Sequence, residues 1–201
     1  VTHTGGLPGY ASRVMLIPER GLGMAVLTNQ ESGEAFNAVV WRIVDHFLGA
    51  PEVDWTEAFL KSRDREQRKI SEAEAKTAAA RGASMAGGSG SPSLPLPGYA
   101  GIYTDAWYGD ISLTEENGRL VMRFTHTPSM IGDLEHWAHD TFAVRWRDRN
   151  LRADAFVTFA LNPDGSIDQA KMRAISPAVD FSYDFHDLLL KPAAAVRKSA
   201  P

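Results

Sequence analysis

Residues 81–97 read RGASMAGGSGSPSLPLP, and no other stretch constrains the folding of this chain more. Gly and Ser offer no side chains to bury, while the closing prolines stiffen the path into an extended spacer. The segment marks a boundary, so the residues on either side of it must each find a core of their own. The chain has 201 residues, which suits one ordinary domain or two small ones.

After the spacer, residues 98–190 read as all-β. Ile111-Ser112-Leu113-Thr114 alternates, Glu116-Asn117-Gly118 is a turn signal, and Leu120 through Phe124 is a second apolar run. Further runs cover Thr141 to Trp146, Ala155 to Leu161 and Ile167 to Ile175, with Asn162-Pro163-Asp164-Gly165 as a tight turn. Phe181, Tyr183 and Phe185 alternate as a last strand, and 191–201 is a flexible tail. Short strands at this spacing predict a small antiparallel barrel or sandwich. Tyr99, Tyr103, Tyr108, Trp146, Phe156, Phe159, Phe181, Tyr183 and Phe185 are assigned to its core. A barrel of about eight strands can also enclose one small apolar ligand. The run Arg145-Trp146-Arg147-Asp148-Arg149 reads as a solvated strand end.

Before the spacer, residues 1–51 begin with a strand. Arg13 to Pro18 and Leu22 to Asn29 then form a hairpin whose strands are expected to be largely buried. Phe36, Val39, Val40, Ile43, Val44, Phe47 and Leu48 recur at helical spacing, with Ser32 as N-cap and Gly49 as stop. About fifty residues cannot enclose a core for that sheet and helix, so this zone reads as the end of a larger domain. Residues 52–97 start with Trp55, Phe59 and Leu60, become a charged helix through about Ala80, and pass into the spacer.

The formal net charge is -4 at pH 7, and no cluster of Lys and Arg marks a nucleic-acid footprint. No apolar run reaches the roughly 18 residues a membrane span requires. The chain has no Cys, which removes thiol nucleophiles and thiolate metal sites from consideration. Two constellations remain. His136, His139 and Asp140, with His126 nearby in sequence, could offer metal ligands, but the spacing suits a turn entering a strand. There His136 and Asp140 fix the turn while Trp137 and Phe142 pack inward, and neither a metal nor a cofactor is expected. His3-Thr4-Gly5-Gly6 is the second. Its glycines let another backbone lie close against a strand.

The order of a His-Thr-Gly-Gly strand, a hairpin ending in Leu27-Thr28-Asn29 and an amphipathic helix resembles the C-terminal end of the catalytic domain of β-lactamase-related serine hydrolases. That family includes class C-type β-lactamases, penicillin-binding-protein-like esterases and D-aminopeptidases. The stretches Leu96-Pro97-Gly98-Tyr99-Ala100-Gly101-Ile102-Tyr103, Trp107-Tyr108-Gly109 and Leu134-Glu135-His136-Trp137-Ala138-His139-Asp140-Thr141-Phe142 look like the lipocalin-like β domain appended to many of them. The resemblance implies an α+β fragment, residues 1–51, followed after residues 52–97 by an all-β lipocalin-like barrel. It also implies acyl-enzyme chemistry on an ester, amide, peptide or β-lactam, and a periplasmic or secreted setting.

By the same resemblance, His3 stands where the family carries Lys or His, and Thr4 hydrogen-bonds substrate. Gly5 belongs to the substrate strand, and the Gly6 N–H is an oxyanion donor. The family's Ser-x-x-Lys and Tyr-x-Asn are not in this sequence, so the segment alone is expected to be inactive. The contrasting expectation is a non-enzymatic module whose barrel binds a ligand or partner. Expected partners are a small-molecule or peptide substrate in the full-length enzyme, and a second copy of the chain through the helix at 36–48.

Overall fold

The structure is a computed structural model that describes residues 1–7, 9–86, 90–180 and 182–193. The chain divides into two compact units, Val1–Lys69 and Ile70–Pro201.

In the first unit the described residues form a three-stranded antiparallel sheet in the order β1 (Thr2–Leu7), β2 (Tyr10–Ile17), β3 (Leu22–Thr28). A helix, α1 (Gly33–Leu48), follows. Ser32 caps it by accepting the Ala35 N–H, and Gly49 ends it in the left-handed conformation. Phe36, Val40 and Val44, one stripe of α1, are buried, and Met15, Val40 and Val44 form a small core with Ile17, Met24, Val26 and Trp41 packed around it. The strands are not largely buried as the sequence predicted. Every residue of β1 is exposed, and β3 alternates strictly between half-buried and exposed. One helix covers one face, and apolar Val14, Leu16 and Leu27 lie on the uncovered one. A second helix, α2 (Trp55–Ala86), begins with Trp55 against Trp41 and Phe59, its indole N–H donating to Asp45 at 2.6 Å.

In the second unit eight described strands close into a barrel: β4 (Gly101–Asp105), β5 (Gly109–Glu116), β6 (Arg119–Phe124), β7 (Ile131–Ala138), β8 (Thr141–Trp146), β9 (Ala155–Leu161), β10 (Ile167–Ala174) and β11 (Leu189–Pro192). Every strand pairs antiparallel with its neighbours in sequence, and β11 returns to β4. The β5–β6 turn is the one Asn-Gly demands, since Asn117 and Gly118 both have positive φ. Tyr99, Ile111, Leu113, Met122, Phe142, Val144, Trp146 and Val157 fill the interior. Gly132 stands directly across from Trp146, and a Cβ there would lie 2.6 Å from Val144 and 2.8 Å from the indole. The missing side chain makes room for the largest ring in the core.

Several further details differ from the sequence reading. Helix α2 continues to Ala86, into the segment read as spacer. Ala and Met are strong helix formers, a single Gly costs only about 1 kcal/mol, and Arg81 is held over the Trp137 ring at 5.1 Å. Tyr183 and Phe185 are not in a strand. Phe185 starts a short 3-10 turn that plugs the barrel, stacked on Trp146 and Tyr183, and Phe181 lies outside the described residues. Phe156 and Trp137 pack on each other outside the core, with centroids 4.7 Å apart. The Arg145–Arg149 run is no loose end either. Trp146 is 1% exposed, Arg145 and Arg149 both bind Asp154, and Arg147 grips Asp133 with two bonds.

Asp140 does not fix its own turn. It latches the segment leading into the barrel by accepting the Ser93 N–H at 2.9 Å, the Ser93 hydroxyl at 2.8 Å and the Tyr99 hydroxyl. Burial alone would raise the Asp140 pKa, but these bonds outweigh it and hold the carboxyl below its usual range. Burial first, and then the bond to Asp140, pushes the Tyr99 phenol up to about 12. A depressed carboxyl stabilises the fold above its unfolded pKa and loses that contribution as pH falls through the folded value. A raised phenol stabilises fully below about 10 and loses its contribution as pH rises toward 12. Asp140→Asn is therefore expected to lower the barrel's stability by about 1–3 kcal/mol at pH 7. In urea melts the gap from wild type should close as pH falls below about 4.

Candidate functional site

Strand β1 carries His3, Thr4, Gly5 and Gly6, and its pairing with β2 sets where each can act. Val1 and Leu16 exchange both backbone hydrogen bonds at 2.8 Å. Hydrogen-bonded and non-hydrogen-bonded pairs alternate along an antiparallel ladder. It follows that His3↔Val14, Gly5↔Ser12 and Leu7↔Tyr10 turn their N–H and C=O groups toward β2. Thr2↔Met15, Thr4↔Arg13 and Gly6↔Ala11 are the open pairs. The N–H groups of Thr4 and Gly6 thus point away from the sheet, along an edge that no described strand covers.

Side chains alternate as well. Thr4 and Gly6 share the face of Arg13 and Met15, which carries α1, whereas His3 and Gly5 share the opposite face with Val14. The structure therefore does not bring all four residues to one surface. It brings together two backbone donors at the edge, with the Thr4 side chain on one face and His3 on the other. His3 is exposed.

The two glycines differ. Neither has a positive φ, so neither is required by backbone conformation. A Cβ at Gly5 would lie 2.8 Å from the Ser12 hydroxyl, which donates to the Gly5 carbonyl at 3.3 Å. A Cβ at Gly6 would meet nothing closer than the Tyr10 carbonyl at 4.0 Å. Packing within the chain explains Gly5 and leaves Gly6 unexplained. What Gly6 leaves open is approach from outside.

Two histidine rings of the barrel make local bonds: His136 Nε2 lies 2.9 Å from the His139 carbonyl and His126 Nδ1 lies 3.3 Å from the Tyr108 carbonyl, while the main-chain N–H of His139 donates to the Gly90 carbonyl. Among the described residues no group of three or more His, Cys, Asp or Glu is arranged to hold a metal ion. Inside the barrel, a void of about 20 Å³ lies between Tyr108, Phe124, Met130, Tyr183, Phe185 and Leu188. That is room for about one water.

Residues 87–192 match the family model described as a domain of unknown function, DUF3471. The chain belongs to this family. The DUF3471 chain is also similar to the unguisins hydrolase ungD of Aspergillus violaceofuscus (strain CBS 115571), at 25% identity over 175 residues. The match covers 82% of this chain and 30% of that protein, so the chain spans under a third of the curated relative's length. Among solved structures it is similar to the C-terminal domain of penicillin binding protein Rv0907, with 26% identity, a TM-score of 0.37, and coverage of 51% of this chain and 88% of that one. It is also similar to SurE with D-Leu, at 15% identity, TM-score 0.39, and coverage of 96% and 35%. The DUF3471 chain thus resembles the C-terminal part of β-lactamase-related, penicillin-binding-protein-like hydrolases.

The contrast between the glycines has a measurable outcome. Gly6→Ala is expected to leave the stability of the first unit unchanged or raised by a few tenths of a kcal/mol, because a strand Gly carries an entropic cost. Gly5→Ala should lower it by about 0.5–1.5 kcal/mol through loss of the Ser12 bond. Combining Gly5→Ala with Ser12→Ala should restore part of the loss in a urea titration.

Proposed function

We propose that this chain supplies the C-terminal part of a serine hydrolase that works through an acyl-enzyme on an ester, amide, peptide or β-lactam. In this reading β1 is one wall of the active site. The observation that carries it is the open edge at Gly6: its N–H points away from β2, and among the described residues no atom explains the missing side chain. A donor fixed in a strand needs no reorganisation when negative charge develops on a carbonyl oxygen, so it stabilises the transition state more than the ground state. Thr4, two residues along the same edge, offers a second outward N–H and a hydroxyl to the substrate, and His3 adds polar contact from the opposite face. The nucleophile and its base come from outside these 201 residues, since the sequence holds no Ser-x-x-Lys. Acyl transfer needs an activated nucleophile as well as an oxyanion site, so the segment alone is inactive.

The barrel is lipocalin-like in this reading, and its up-and-down order of eight strands supports that comparison. Its filled interior argues for a packing and positioning module rather than a carrier.

Gly6→Pro gives a direct test. Proline is tolerated on an edge strand where its missing N–H faces outward, so the substitution deletes the donor and spares the β1–β2 ladder. In the full-length protein a fluorophosphonate serine probe should label wild type, and Gly6→Pro should slow labelling on the order of a hundredfold. The 201-residue segment should stay unlabelled. Labelling of the segment, or unchanged labelling of the full-length variant, defeats the proposal.

A further inference from the structure

The outer wall of the barrel carries a groove of about 380 Å³ lined by Trp137, Thr141, Phe156, Thr158, Lys171 and Arg173, together with Met172. Its geometry comes from the strand register. Thr141 faces Thr158, which faces Lys171, and Phe156 faces Arg173, so these side chains stand in rows across β8, β9 and β10. Trp137 reaches the same surface because the β7–β8 register slips between His136 and Ala138. A bulge of this kind re-aims a side chain, and here the ring lands edge-on against Phe156, 4.7 Å between centroids.

Charge is what makes the groove unusual. Several other arginines of the barrel are matched with carboxylates: Arg145 and Arg149 with Asp154, Arg147 with Asp133, Arg123 with Glu116. Lys171 and Arg173 have no carboxylate partner among the described residues. Arg173 rests on the Phe156 ring at 5.7 Å, and Arg81 covers Trp137 at 5.1 Å. Thr141 and Thr158 share one hydrogen bond at 2.9 Å, and between them they keep one hydroxyl proton for a further acceptor. The groove thus combines an aromatic wall, two cations without a counter-charge and a hydroxyl pair, within the size range of small-molecule sites.

We propose that this groove binds a small ligand joining a carboxylate to a ring. The carboxylate takes the fork of Arg173 and the ammonium of Lys171, since charge-assisted bonds to a carboxylate are roughly twice as strong as neutral ones. The ring packs on half-buried Trp137, which is held in place by buried Phe156 behind it. The site lies on the barrel and does not depend on acyl transfer at β1.

The probe is 3-phenylpropionate, with 3-phenylpropionamide as its neutral match, added to the ¹⁵N-labelled 201-residue chain. The readout is the Trp137 indole N–H resonance, assigned with Trp137→Phe. The acid should shift this resonance saturably in the millimolar range, and the amide should bind at least about tenfold more weakly. Lys171→Gln with Arg173→Gln should remove the preference for the acid. The buried Trp146 resonance reports that the barrel is intact. If the double variant loses that resonance, Lys171→Gln alone is read, and it should weaken the acid at least about threefold. Absence of a saturable shift, equal binding of acid and amide, or variants that keep the wild-type preference would overturn the assignment.

Discussion

Everything in the second unit depends on closing a sheet that would otherwise have two open edges. An eight-stranded barrel has no edges only if its first and last strands meet, and here the last strand is four residues long. Strand β11 pairs with β10 at Ala170 and Lys171 and with β4 at Tyr103 and Thr104. So short a strand needs help, and Asp105 provides it. This buried carboxylate accepts the N–H groups of Trp107 and Tyr108 in the β4–β5 turn and the N–H of Leu189 at the start of β11. Burial works against its charge, yet the three donors hold its pKa below the usual range. With Leu190 buried on the inner side, one side chain and one carboxylate hold the seam shut.

Much of the barrel was legible in the sequence because its determinants are local. Period-two alternation marks Ile111–Thr114 and Ala155–Leu161, and an Asn-Gly pair can only make the turn it makes. What was not legible is non-local. Phe185 follows the spacing of a strand yet belongs to a plug, because its place is set by Trp146, far away in sequence. Trp137 reads as a core ring, and only the slip in register opposite β8 turns it outward. The Arg145–Arg149 run looks solvated until Asp154 is placed between two of its members.

The same distinction applies at β1. The residue types of His3-Thr4-Gly5-Gly6 point to a strand that something approaches, and they can be read directly. Which of their N–H groups face outward cannot, since that depends on the phase of the ladder set by Val1 and Leu16. A shift of one residue would have turned His3 and Gly5 outward instead. The glycine that packing explains and the glycine it does not are neighbours in the chain, and only the position of the Ser12 hydroxyl separates them.

The seam between β4 and β11 also fixes where the barrel can be joined to other polypeptide. Ala193, just past the last strand, donates its N–H to the carbonyl of Ile102 in the first, at 2.8 Å. Entry and exit therefore sit side by side. A module built this way can be spliced into a surface loop of another protein, or cut and rejoined at one of its hairpins, without stretching any strand.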